Sequence, residues 1–226
     1  MKILMISDLH CEKNPNAFEW LKHIIEDTSP DLLFAAGDWG ECKEYPQILP
    51  KERVITVYGN HDNVTELREK FTLLDGDVVE INGIRVGGVS GIISPKGTPT
   101  KTGVPRKTPG QFLIKASKIK DATDIMIMHE TPYIPEVFGR MWRSAGSLTA
   151  LKALSLVKPK MLLVGHMHLA PALHAELEDG MRIVHVDSSQ KGYVIWDLES
   201  GTLTGYSDRV KMFEVHFDLL ELPMTK

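Results

Sequence analysis

The chain has 226 residues, 42% hydrophobic and 25% charged, with a formal net charge of −4. That balance suits one globular domain over 1–226 with a sizeable core, and nothing in the chain approaches the apolar length of a membrane span. Cys11 and Cys42 do not form a CxxC pair, so neither a disulfide framework nor a structural zinc site is implied, and reduced thiols are expected.

The opening MKILMISDLH offers only a short apolar stretch before Asp8. It is too short for a signal-peptide core, so cytoplasmic residence is the expectation. Phe18, Leu21, Ile24 and Ile25 share one face of a helix predicted over 16–28. LLFAAG then leads into Asp38, and RVITVYG into Asn60 and His61. A second helix is predicted over 64–74 from Val64, Leu67, Phe71 and Leu74. After Gly76 the pattern changes: DVVEINGIRVGGVSG reads as a hairpin turning at Asn82-Gly83. DIMIM leads into His129, a helix is predicted over 147–157 before Pro159, and MLLVG leads into His166 and His168. HAELEDGMRIVHV reads as a second hairpin around Asp179-Gly180.

Two segments are too long to be simple connections, Ser94 to Gly110 and Glu130 to Gly146, and long loops in compact domains are often functional. From Ile81 to Lys120 there is no Asp or Glu but eight Lys or Arg, and from Val137 to Ala175 no acid but five. Such runs are ordinarily solvated faces; the sharper reading is an attraction for anionic substrates. Lys96, Lys101, Arg106 and Lys107 of the first loop, and Arg140 and Arg143 beside Trp142 in the second, are then candidate substrate-binding cations.

Short apolar runs with little alternation suggest central strands covered on both faces, and their alternation with helices an α/β layered fold. Side chains just past the carboxyl ends of neighbouring strands converge on one crevice. They bring together Asp8, His10, Asp38, Asn60, His61, His129, His166 and His168. Imidazoles and oxygen donors without thiolate suit divalent first-row metals, and the set exceeds what one ion needs. Two ions about 3.5–4 Å apart, sharing a carboxylate, would use it fully. Each residue alone has an ordinary structural explanation. Their joint placement, each cluster after a predicted strand, does not.

DLH, the GD of AAGDWG, GNHD, MHETP and GHMH stand in the order and approximate spacing of the calcineurin-like metallophosphoesterases, which the chain resembles from Asp8 to His168. The resemblance implies a four-layer α/β sandwich with two mixed sheets flanked by helices. It also implies a binuclear centre: Asp8, His10, Asp38 and His168 as ligands of one metal, Asp38 bridging, and Asn60, His129 and His166 completing the other. Manganese, iron, zinc, nickel and cobalt all suit that donor set. Two cations flanking a water provide hydroxide near neutrality and clamp phosphate oxygens, so the implied activity is hydrolysis of phosphate mono- or diesters, small phosphate esters or nucleotides. His61, beside the metals without ligating them, is the expected catalytic residue, oriented by Asp62 or Glu41. GDWGE is not the GDxxDRG of the protein-phosphatase branch. A nucleic-acid substrate, as in the DNA-repair branch, is the less favoured alternative, because the chain beyond His168 reads as strands rather than a DNA-capping domain. The other alternative is a non-catalytic binding scaffold of the same fold, although every implied ligand is kept. His23, His174, His185 and His216 are expected to be structural or superficial.

Overall fold

A computed structural model describes residues 1–217 and Leu219. Its elements in chain order are β1 (Lys2–Ile6), α1 (Ala17–Thr28), β2 (Leu32–Ala35), β3 (Val54–Thr56), α2 (Val64–Lys70), β4 (Thr72–Leu73), β5 (Asp77–Ile81), β6 (Ile84–Val89), α3 (Pro109–Ile119), β7 (Ile125–Met128), α4 (Pro135–Phe138), α5 (Ala145–Val157), β8 (Met161–Val164), β9 (Ala172–Glu176), β10 (Arg182–Val186), β11 (Gly192–Asp197), β12 (Thr202–Ser207) and β13 (Val210–His216). They build a seven-stranded sheet of order β13-β12-β11-β1-β2-β3-β4 and a six-stranded sheet of order β5-β6-β7-β8-β10-β9. The first is parallel from β1 to β4 and antiparallel beyond β1. The second is parallel from β6 through β7 and β8 to β10, with antiparallel β5 and β9 at its edges. Both sheets are therefore mixed, as the family resemblance implied.

The strand pleat assigns the layers. Ile3 and Met5 of β1 point to the shared interior with Phe34, Ile55, Ile127, Leu163 and Val184. Their alternate neighbours Leu4 and Ile6 face the other way, against Leu21 and Ile24 of α1 and Leu67 of α2. On the far side, Met126, Met128, Leu162 and Val164 pack against Phe112 of α3 and Ala150 and Leu154 of α5. The order is helices, sheet, sheet, helices. Nearly continuous apolar strands are what central strands buried on both faces need.

Most predicted elements are present with small shifts. The helix expected over 64–74 ends at Lys70, because Phe71 turns extended and Thr72–Leu73 pair with β3 as an edge strand. Phe71 and Leu74 remain buried, so the same apolar residues serve either backbone. Asn82 and Gly83 both have positive φ, as a tight hairpin turn requires. Helix α3 was not anticipated. Its start is a capping box in which Thr108 accepts from the Gln111 N–H and Gln111 accepts from the Thr108 N–H, with Pro109 at the first position.

The expectation of free thiols is overturned. Cys11 and Cys42 are joined in a disulfide, their Cα atoms 6.0 Å apart. The separation along the chain is 31 residues, but β1 and β2 are adjacent parallel strands, so the loops at their carboxyl ends lie side by side. No helix among the described residues is long and apolar enough to cross a membrane.

Candidate metal centre

The five polar clusters lie at the carboxyl ends of β1, β2 and β3 in one sheet and of β7 and β8 in the other, which brings them to one edge between the layers. Asp8, His10, Asp38 and His166 all adopt left-handed backbone, with φ of 55°, 50°, 54° and 72°. Such residues cost about 1–3 kcal/mol each and persist where surrounding contacts over-determine them. Here the contacts are specific. The Asp8, His10 and Cys11 N–H groups donate to the carbonyls of Gly37, Asp38 and Trp39 at 2.9, 3.0 and 2.9 Å, lacing the β1 loop to the β2 loop. Buried Asp62 laces the β2 loop to the β3 loop, accepting from the N–H of Asp38 (2.9 Å), Trp39 (2.7 Å), Gly40 (3.3 Å) and Gly59 (2.6 Å).

The glycines of GNHD and GHMH are dictated by close approach. A Cβ on Gly59 would lie 2.1 Å from Asp38 Oδ1, and one on Gly165 would lie 1.9 Å from Ser7 Oγ and 2.4 Å from Asp8 Oδ2. Asp38 Oδ1 accepts from the N–H of Asn60 (2.6 Å) and His61 (2.7 Å). Its other oxygen, Oδ2, stands 3.7 Å from His10 Nε2 and 3.3 Å from His129 Nε2, between the two histidines.

The atoms left over test whether a metal fits. Asp8 Oδ1, His10 Nε2 and Asn60 Oδ1 are buried with no hydrogen-bond partner among the described residues, a cost of about 1–3 kcal/mol each unless something binds them. Ligand atoms of Asp8, His10 and His168 lie within 4.8 Å of one another, as do those of Asp8, Asp38 and His129. His166 Nδ1 is 3.2 Å from His129 Nε2, and the rings of His10 and His168 are 5.3 Å apart. Hard carboxylate and amide oxygens with imidazoles, converging and unpaired, suit divalent cations. Asp8 belongs to both three-residue groups, and Asp38 to the second.

Burial and neighbouring charges push the titrating groups of this pocket in opposite directions. Burial raises Asp8 to about 6. Burial, with the nearby Asp38 charge, raises Asp62 to about 7. Burial works against the His129 cation, yet Asp38 outweighs it and pushes the imidazole up to about 10. The same pair holds Asp38, despite burial, below the usual carboxylate range. His166 is driven down to about 3 by burial and by its cationic neighbour His129.

Orienting groups surround the candidate ligands, and the sequence reading did not find them. His129 Nδ1 donates to the Ala36 carbonyl at 2.7 Å, which leaves Nε2 aimed inward. Glu12 Oε1 is 3.2 Å from His10 Nδ1. Asp187 Oδ2 accepts from His168 Nδ1 at 2.9 Å, and Asp187 is itself held by the Ser189 N–H and hydroxyl and by the Gln190 amide. A carboxylate behind a metal-facing imidazole fixes its tautomer and raises its basicity. Asp187 follows β10, a neighbour of β8, so the rule applied to the five clusters would have found it had that strand been included. His185, expected to be structural, lies beneath GHMH with Nε2 2.5 Å from the Met167 carbonyl.

His61 stands at the mouth, its side chain 38% exposed, Nδ1 3.6 Å from Glu41 Oε1 and its ring 5.2 Å from that of His10. Of the two orienting acids expected, Glu41 faces it. Asp62 is a correction: four backbone amides occupy its carboxylate, so it ties loops together instead. Lys107 is a second correction. It is 7% exposed, pairs with Asp75 at 3.0 Å and donates to Tyr58 Oη at 2.9 Å and the Ser90 carbonyl at 2.6 Å, so it is a structural cation. Lys96, Lys101, Arg106, Arg140 and Arg143 make no ion pair among the described residues, and Trp142 is 91% exposed between the last two. Arg143 lies over the Tyr133 ring at 5.9 Å. The first loop does border the crevice, since Thr102 Oγ1 donates to Glu41 Oε1 at 2.5 Å.

The sequence profile of the calcineurin-like phosphoesterase superfamily domain matches residues 1–210. No curated protein sequence matches the chain. Among solved structures, a protein of Thermus thermophilus superposes with a TM-score of 0.69 at 21% identity, covering 92% of this chain and 99% of that one. A dimetal phosphatase from Danio rerio gives 0.58 at 9% identity over 96% and 99%. A novel archaeal phosphodiesterase gives 0.53 at 15% identity over 92% and 99%. At such identities the likeness is one of fold.

Proposed function

The chain belongs to the calcineurin-like phosphoesterase superfamily, and from that premise we propose that it is a metal-dependent phosphoric ester hydrolase with two divalent cations at the carboxyl edges of its sheets. One observation carries the reading: Asp8 Oδ1, His10 Nε2 and Asn60 Oδ1 are buried, unpartnered and borne on the loops of one pocket. Asp8, His10, Asp38 and His168 would hold one cation. Asp38, Asn60, His129 and His166 would hold the other. The bound cations supply Lewis acidity, activating a water and neutralising phosphate oxygens.

The chain's own residues supply the rest. Asp38 uses Oδ1 for the Asn60 and His61 amides, so one carboxylate both shapes the GNHD turn and keeps Oδ2 available between His10 and His129. His61, free of ligation and open to solvent, is placed to donate a proton to a leaving oxygen or a hydrogen bond to a phosphoryl oxygen. Glu41 Oε1, 3.6 Å from its Nδ1, would orient the ring for either role. Lys96, Lys101, Arg106, Arg140 and Arg143, without an ion pair among the described residues, would draw phosphate esters toward the edge. Small phosphate mono- or diesters, nucleotides included, are the substrates this supports, with nucleic acid less favoured.

The test is metal analysis of the purified protein followed by turnover with manganese on a mono-ester, a di-ester, cyclic nucleotides and single-stranded DNA. Two ions per chain and hydrolysis of at least one ester are expected. Two bound ions with no turnover on any of them would return the scaffold reading to first place.

A further inference from the structure

The segment from Ser94 to Thr108 leaves β6 and returns to α3, and it is not a free loop. Its ends are clamped together, Ser94 N–H donating to the Lys107 carbonyl at 2.9 Å and Lys107 N–H to the Ile92 carbonyl at 3.0 Å. The Lys107 ammonium anchors one end in the interior. Farther out, Thr100 and Val104 close a tight turn: Thr100 N–H donates to the Val104 carbonyl at 2.9 Å, Gly103 N–H to the Thr100 carbonyl at 3.0 Å, and Val104 N–H to Thr100 Oγ1 at 2.9 Å. Val104 is buried among the residues that pack behind the first sheet. The turn is therefore held from below.

From this turn Thr102 reaches Glu41. The Thr102 hydroxyl donates its one proton to Glu41 Oε1 at 2.5 Å. The contact of 3.0 Å between the Thr100 and Thr102 hydroxyls is then assigned too: Thr100 donates and Thr102 accepts. The order runs Val104 N–H to Thr100, Thr100 to Thr102, Thr102 to Glu41, and Glu41 Oε1 is the oxygen 3.6 Å from His61 Nδ1. Glu41 is a long, partly exposed side chain with several rotamers open to it, and an aimed hydroxyl removes that freedom.

We propose that Thr102 is a positioning residue that holds Glu41 against His61, making the turn Thr100–Val104 part of the catalytic apparatus. The inference rests on the reading of His61 as catalytic. Thr102 acts through Glu41 and His61.

The experiment compares Thr102→Val, which keeps the shape and loses the hydroxyl, with Thr102→Ser, which keeps the hydroxyl, on a minimal aryl phosphate ester with the metal-loaded protein. Thr102→Val is expected to lower kcat about fivefold with KM and metal content unchanged, and Thr102→Ser to restore most of the rate. In a Glu41→Gln background the Thr102→Val change should have no further effect, since the two residues act in series. Wild-type turnover in Thr102→Val, failure of Ser to restore the rate, or an undiminished loss in the Glu41→Gln background would each overturn the assignment. His61→Ala, measured alongside, separates the two readings. A loss of about 10²–10⁴ in kcat there with none in Thr102→Val sinks the Thr102 assignment alone. Full turnover in His61→Ala sinks both.

Discussion

The carboxylate of Asp187, buried at the end of β10, accepts the Nδ1–H of His168 at 2.9 Å, across 19 residues of sequence and from a neighbouring strand. His168 is half exposed, so without this acceptor its imidazole would be free to turn and to change tautomer. Asp187→Ala should therefore weaken the metal set that includes His168 by about 10–100-fold, as loss of such an acceptor typically does. Titration of the metal-free protein against a chelator of known affinity measures this directly, without an activity assay. Unchanged affinity would show that His168 is held by something else or is no ligand.

Asp38 has two tasks, and Asp38→Asn separates them. The amide still offers an oxygen to the Asn60 and His61 N–H groups, so the GNHD turn should survive. The charge between His10 and His129 is lost, so bound metal should fall below two ions and turnover by orders of magnitude. A variant with both ions and a near-normal rate would remove Asp38 from the bridging position.

Two lysines of the same segment should behave oppositely. Lys107→Met strands the polar partners of a buried ammonium, chiefly the Ser90 carbonyl and Asp75, and should cost about 2 kcal/mol in unfolding by denaturant. Lys101→Ala, on the exposed turn, should leave stability unchanged and raise KM for polyanionic esters most at low salt. Equal stability in both variants would contradict the burial of Lys107.

His185 predicts a pH dependence of stability. Burial drives its imidazole down to about 4 from an ordinary 6.5. Between those values the unfolded chain takes up a proton that the folded chain refuses, so stability falls as pH drops from 6.5 toward 4. His185→Gln keeps an N–H for the Met167 carbonyl and cannot titrate. Between about pH 7 and 4.5, with chelator present, the wild type should lose about 2 kcal/mol more than this variant. Asp8 and Asp62, whose carboxyls are raised, oppose the trend in both proteins and cancel in the comparison. An identical loss in the two would mean that His185 is charged in the fold.

Local pattern along the chain is enough to read the inventory of candidate residues and its address. Apolar runs such as KILMI, LLFA, IMIM and MLLV read as central strands of a covered sheet, and the polar residues directly after them are carried to its carboxyl edge by chain continuity alone. Asp8, Asp38, His129 and His166 were legible for that reason. What each atom is left to do follows from packing. Whether Asp62 orients His61 or ties two loops depends on four amides of the surrounding backbone, three of them remote in sequence, and whether Lys107 greets substrate or fills a buried niche depends on Asp75, Tyr58 and Ser90. The Cys11–Cys42 disulfide and the Asp187–His168 contact likewise arise from strands that become neighbours only when the sheets assemble. Local pattern reports a residue's own backbone and burial, but a hydrogen bond or an ion pair belongs to two residues, and its second member is chosen by packing.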